Sequence, residues 1–299
     1  MTTETITRDY GIAPPGFRLP DATHLGRVRL QVANLERSIA YYETVIGLRV
    51  TVRTDDSAIL AAHGDDRALV ELREKPGVRS VPRRGAIGLY HFAILLPDRE
   101  SLGRFVTHLS AIGAYAGMSD HFVSEAVYLT DPDGLGIEVY ADRPRDAWKV
   151  EGRQLAMTTI PLDVADLVAA ARGEEWTGAP AGTVIGHVHL YVRDVDQGAA
   201  FYHAGLGFDK VVWGYPGALF MSAGGYHHHL GTNTWAAQAP LATDDDARLI
   251  EWEIVVPSGD AVGAAAESLA SSGFAVTRDG GDLVAHDPWG TQVRVLSAR

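Results

Sequence analysis

What most constrains the fold of this chain is an internal repeat. Gly26-Arg-Val-Arg-Leu-Gln-Val-Ala-Asn-Leu-Glu-Arg-Ser-Ile-Ala-Tyr-Tyr42 leads on to Val45-Ile-Gly-Leu48. Gly186-His-Val-His-Leu-Tyr-Val-Arg-Asp-Val-Asp-Gln-Gly-Ala-Ala-Phe-Tyr202 leads on to Gly205-Leu-Gly-Phe208. Each copy opens with period-two alternation, which marks a strand, and then switches to helical spacing. Each helix ends in an aromatic pair and is closed by a glycine. A fainter pair joins Leu89-Tyr-His-Phe-Ala-Ile-Leu-Leu-Pro-Asp98 to Asp131-Pro-Asp-Gly134, and Leu249-Ile-Glu-Trp-Glu-Ile-Val-Val-Pro-Ser258 to Asp287-Pro-Trp-Gly290. Both read as strand, helix, and short strands around an Asp-Pro-x-Gly turn.

The repeats predict an α+β chain of four βαβββ modules, at 25–76, 86–142, 184–236 and 247–297. We expect two domains, 1–150 holding the first two modules and 183–299 the last two. A polar linker, 151–182, separates them and carries one short helix near Leu162–Ala171, which Asp163 can cap.

Composition removes several functions. Lys and Arg total 26 against 38 Asp and Glu, a net charge of −12 with no basic stripe. Nucleic acid is therefore not an expected partner, because neutralising phosphates requires clustered cations. The absence of cysteine excludes disulfides, thiolate nucleophiles and Cys-held zinc or iron–sulfur centres. The opening MTTETITRDYG lacks the apolar core of a signal peptide, and no apolar run approaches the roughly 18 residues of a membrane span. A cytoplasmic protein with no membrane partner is expected; a homo-oligomer is compatible with the sequence.

Over nearly its whole length the chain resembles the vicinal oxygen chelate superfamily, which groups glyoxalases, bleomycin resistance proteins and extradiol dioxygenases. The resemblance implies curved mixed sheets, two modules closing around one metal site, and ligands drawn from the first and last strands of each module. At those positions modules one and four carry Arg27, Glu71, Glu251 and Arg294. Two cations cannot share a site with a divalent metal, so this set reads as an ion-pair cluster or an empty pocket. Modules two and three carry His91, Glu138, His187 and the run His227-His228-His229. His91, Glu138 and His187 make the two-histidine, one-carboxylate set that leaves three positions open on Fe(II); Mn(II) is the other candidate metal. The residue types select the pairing of module two with module three, within one chain or between two.

The stretch Ser119-Asp-His121-Phe-Val-Ser-Glu-Ala-Val127-Tyr128-Leu-Thr-Asp131-Pro132-Asp-Gly134-Leu-Gly-Ile-Glu138 resembles the signature of extradiol ring-cleavage dioxygenases, departing at Ser119. The resemblance implies that Glu138 ligates iron and that Tyr128 and His121 hydrogen-bond substrate oxygens. It also implies an acid–base histidine in the last strand of module three. Alignment favours His228, and strand alternation sets His227 and His229 on the opposite face; His229 facing the metal as a fourth ligand stays open. The ligand order His91, Glu138, His187 looks like that of the bacterial catechol-2,3-dioxygenase group. That likeness implies O2-dependent opening of a small aromatic diol in aromatic hydrocarbon catabolism. Two alternatives remain: a glyoxalase-type isomerase or lyase with four protein ligands on nickel or zinc, and a non-enzymatic ligand-sequestering protein of the same fold.

Overall fold

The computed structural model describes residues 10–298. Most of the opening segment from which a cytoplasmic location is read therefore lies outside the described residues. Among the described residues no helix is long and apolar enough to cross a membrane.

All four modules read strand, helix, three strands. The first is β1 (His24–Val32), α1 (Leu35–Tyr41), β2 (Arg49–Arg53), β3 (Ser57–Ala61) and β4 (Val70–Glu74). The second is β5 (Gly88–Leu95), α2 (Arg99–Ala111), β6 (Gly117–Asp120), β7 (Ser124–Thr130) and β8 (Gly136–Asp142). The linker holds the short strands β9 (Val150–Glu151) and β10 (Gln154–Leu155) and then α3 (Val164–Ala170), whose first turn Asp163 caps through the N–H of Asp166. The third module is β11 (Val184–Tyr191), α4 (Val195–Ala199), β12 (Asp209–Val212), β13 (Ala218–Ser222) and β14 (Leu230–Asn233). The fourth is β15 (Arg248–Val256), α5 (Gly259–Ser271), β16 (Val276–Asp279), β17 (Asp282–His286) and β18 (Gln292–Ser297).

Two eight-stranded mixed sheets result, ordered β16-β17-β18-β15-β1-β4-β3-β2 and β12-β13-β14-β11-β5-β8-β7-β6. Modules one and four share the first sheet, and modules two and three share the second. The pairing that the ligand types select is thus made within one chain. Each sheet takes one module from residues 1–150 and one from 183–299, so the linker divides the chain into halves that both contribute to each sheet. Within a module the first strand runs parallel to the last, and the two first strands of a sheet meet antiparallel. This arrangement brings the candidate ligand positions of two modules together along the sheet centre.

The strand-to-helix corners follow from capping. Asn34, Asp98, Asp194 and Ser258 each accept a backbone N–H from the first turn of the helix that follows. After α1 and α4 the chain widens into π turns at Tyr42–Ile46 and Ala200–Gly205, which residue spacing did not anticipate. Gly47, at φ 81°, closes the first of them in the left-handed conformation that glycine takes without strain. The aromatic pairs have a specific use. Tyr42 donates to Asp131 Oδ2 at 3.4 Å and Tyr202 to Asp287 Oδ2 at 3.0 Å. Each aspartate also takes two backbone N–H groups of its own Asp-Pro-x-Gly turn on Oδ1. One phenol thus fastens module one to the turn of module two, and the other fastens module three to that of module four, bridging the two sheets in each case. Both tyrosines lie in the single large apolar core that spans all four modules.

Candidate metal centre

β5, β8 and β11 lie side by side, and each contributes one member of a polar trio on one face of their sheet. His91 Nε2 stands 3.0 Å from Glu138 Oε2, His187 Nε2 stands 3.2 Å from the same oxygen, and the two ring nitrogens are 3.3 Å apart. All three residues are buried. Among the described residues no other trio of histidine and acidic side chains converges in this way.

The donor set fits a first-row divalent metal. Neighbouring octahedral ligands at about 2.1 Å from an ion stand about 3.0 Å apart, close to the separations found. Burial pushes the His91 and His187 imidazoles below their ordinary pKa, which keeps them neutral and able to ligate. Burial opposes ionisation of Glu138, but the adjacent His187 and His91 outweigh it and hold the carboxyl well below its usual range. The Nδ1 atoms of both histidines are buried without partners. The usual outer hydrogen bond that orients a ligand histidine is therefore replaced here by packing. Tyr90 lies against His91 at 4.6 Å between ring centres, and Tyr140 against His187 at 5.0 Å.

Around this trio lies a cavity of about 600 Å³. Its walls include His121, Tyr128, His189, His228 and the aromatic side chains of Tyr90, Tyr191, Tyr215, Phe220 and Trp235. Tyr128 faces Glu138 directly across the β7–β8 pairing. Its O–H lies 2.6 Å from His121 Nε2, and His121 Nδ1 lies 2.6 Å from the Thr158 carbonyl. A carbonyl only accepts, so His121 donates from Nδ1 and accepts the Tyr128 hydroxyl at Nε2. Burial, reinforced by Glu138, pushes the Tyr128 hydroxyl well above its usual pKa, so it stays protonated.

The histidine run resolves into three environments. It lies just ahead of β14, after a turn in which Gly224 and Gly225 take φ 60° and 59°, and not within a strand as expected. His228 lines the cavity with its ring 4.1 Å from that of His187. Burial and the neighbouring His187 hold its pKa well below the ordinary histidine value. His229 turns away: its Nδ1 accepts the Ala223 N–H at 3.1 Å and its ring packs 5.0 Å from Tyr226. Of the two histidines between which the sequence left the metal-facing place open, His229 does not line the cavity and His228 does. His227 is wholly buried behind His228.

One cavity residue escaped the sequence reading. His189 stands two residues beyond His187 on β11, so both face the same side. Its Nε2 accepts from Asn233 Nδ2 at 3.0 Å, and its ring lies 5.0 Å from His91. It sits over Gly231, where a Cβ would come within 2.8 Å of the ring. The His-x-His spacing on a strand was the available signal; alignment on the capping aspartate picked out only His187.

The equivalent place in the other sheet is closed by ion pairs. Glu71 is held by Arg27 and Arg29 at 2.9 Å each, and Glu251 by Arg29 at 3.0 Å and Arg294 at 3.1 Å. The four residues that the sequence set aside as a non-metal cluster form one salt-bridged network, with Arg29 at its centre.

The pattern that defines the Glyoxalase/Bleomycin resistance protein/Dioxygenase superfamily matches residues 24–139 and 184–294. A curated protein of Bacillus subtilis (strain 168), catechol-2,3-dioxygenase, is 43% identical over 270 residues, spanning 89% of this chain and 94% of its own. Among solved structures, a protein from Bacillus subtilis subsp. subtilis strain 168 superposes with a TM-score of 0.63 at 16% identity, over 94% of this chain and 86% of that one. Glyoxalase I from Zea mays superposes with a TM-score of 0.55 at 17% identity, over 92% of each chain. At such identities these two structures speak for the fold alone.

Proposed function

The chain belongs to the Glyoxalase/Bleomycin resistance protein/Dioxygenase superfamily, and we propose that within it this protein is an Fe(II)- and O2-dependent extradiol dioxygenase that opens the ring of a catechol-type diol. The reading rests on one observation above all: the hydrogen-bonded pair Tyr128–His121 stands beside a candidate metal trio that, among the described residues, no fourth histidine or acidic side chain joins. The relative named catechol-2,3-dioxygenase supports the same activity. A glyoxalase-type isomerase would call for a fourth protein ligand, and His229, the candidate for it, is turned away. A pure sequestering role leaves the buried trio without a use.

His91, His187 and Glu138 would hold the metal, Fe(II) in preference to Mn(II). When bound, it supplies Lewis acidity toward the diol oxygens and electron transfer toward O2. The rest is done by the chain's own groups. Tyr128 spends its proton on His121, so its oxygen offers a lone pair that accepts a substrate hydroxyl. His228, neutral and against His187, takes a diol proton at its cavity-facing nitrogen and returns it to the oxygen that departs as the ring opens. The aromatic walls hold the flat ring and exclude water.

The test is anaerobic Fe(II) loading of the purified protein, then admission of O2 with a panel of catechols. We expect yellow ring-opened semialdehyde from at least one of them. Stoichiometric iron with no ring opening across the panel, or turnover of a hemithioacetal with nickel or zinc, would overturn the proposal.

A further inference from the structure

We infer that Asp142 and His227 are positioning residues that hold His228 in a single ring orientation and tautomer, with its Nε2 lone pair turned to the cavity. This rests on the acid–base role proposed for His228.

Glu138, Tyr140 and Asp142 alternate along β8 and so project to one side of it. The strand that provides the metal carboxylate therefore provides a second carboxylate two positions past Tyr140. Asp142 Oδ1 lies 2.8 Å from His227 Nε2 and 3.2 Å from the Tyr226 hydroxyl, which in turn is 2.6 Å from the Tyr140 hydroxyl. A carboxylate oxygen only accepts, so a neutral His227 carries its hydrogen on Nε2 and leaves Nδ1 bare. His227 Nδ1 lies 2.7 Å from His228 Nδ1. With one nitrogen bare, the hydrogen between them belongs to His228. Its Nε2 is then without hydrogen, and it is the nitrogen that His227 leaves free on a ring that lines the cavity.

The chain of contacts is held firmly. His227 is fully buried, with Tyr226 at 4.1 Å, Trp148 at 5.3 Å and Tyr140 at 5.9 Å between ring centres. The ring cannot swing aside without displacing three aromatic neighbours. If the carboxylate were removed, His227 could move its hydrogen to Nδ1 and donate to His228. The His228 hydrogen would then shift to Nε2, and the group facing the substrate would be a donor where a base is required.

The test compares Asp142→Leu, Asp142→Asn and His227→Phe in the full-length, iron-loaded protein. Leucine keeps the volume and removes the acceptor; asparagine keeps one acceptor oxygen. We expect wild-type iron content and KM in all three. We expect kcat to fall roughly 10- to 100-fold in Asp142→Leu and His227→Phe, the usual cost of losing an outer-shell partner, with substantial recovery in Asp142→Asn. Histidine 15N spectra of the protein loaded with diamagnetic Zn(II) give an independent readout. They should show His228 protonated at Nδ1 in the wild type and shifted toward Nε2 in Asp142→Leu. Unchanged kcat and unchanged His228 nitrogen signals in Asp142→Leu would overturn the inference, whether or not His227→Phe folds. His228→Ala, measured alongside, separates the two levels. If it turns over at the wild-type rate, the acid–base reading itself fails. If it is slow while Asp142→Leu is not, only the positioning role fails.

Discussion

The imidazole of His228 lies against that of His187, ring centres 4.1 Å apart and planes tilted by 42°, although one precedes β14 and the other stands in the middle of β11. A candidate metal-ligand histidine is thus in contact with the neutral base proposed to serve it. His228→Ala should keep iron and slow turnover about 10²–10⁴-fold, the contribution expected of an acid–base group. His229→Ala should be mild, because that ring packs on Tyr226 outside the cavity. Iron content and ring-opening rate measured on both variants decide the matter. Lost iron in His229→Ala with a fast His228→Ala would reverse the assignment.

Glu138→Ala or His187→Ala should remove tightly bound metal, since two remaining ligands hold a divalent ion poorly. Metal analysis after anaerobic reconstitution and desalting is the check. Near-stoichiometric iron in Glu138→Ala would place the centre elsewhere.

The wild type should bind one equivalent of metal per chain. Glu71 and Glu251, the carboxylates of the other sheet, are already engaged by Arg27, Arg29 and Arg294. Arg27→His should therefore leave metal content and activity unchanged. Isothermal titration showing a second tight equivalent in the wild type would contradict this.

Asp131 should make stability depend on pH. Burial pushes its carboxyl up to about 7, against the N–H groups of Leu135 and Asp133 that pull it down. The unfolded value is about 3.9, so between the two values the folded state binds more protons than the unfolded one. Its stabilising contribution is then full below about pH 4 and is lost as pH rises through about 7. Asp131→Asn keeps the acceptor oxygen without the charge. Its Tm relative to wild type should rise steadily from about pH 5 to about pH 8. A difference that stays flat over that range would mean the carboxyl is not raised.

The modules, their corners and the types of the candidate ligands were legible in the residues alone. Alternation at His187-Val-His-Leu, a cap at Asp194 or Asp98, and an Asp-Pro-x-Gly turn before Glu138 are properties of short segments. Local backbone preferences and hydrogen bonds decide them wherever the segment ends up. Even the pairing of modules two and three was legible, because Arg27 and Arg294 cannot stand beside a cation. That this pairing closes within one chain, that β5 meets β11 with His91 opposite His189, and that Tyr42 and Tyr202 fasten the two sheets came only with the folded arrangement. Those contacts join residues far apart in sequence, and their register is set by which faces bury together. The histidine run shows the boundary most clearly. Alternation could not place His228 and His229, because the run leaves the Gly224–Gly225 turn before strand geometry begins. Only packing against His187, Asp142 and Tyr226 gave each of the three rings its own surroundings.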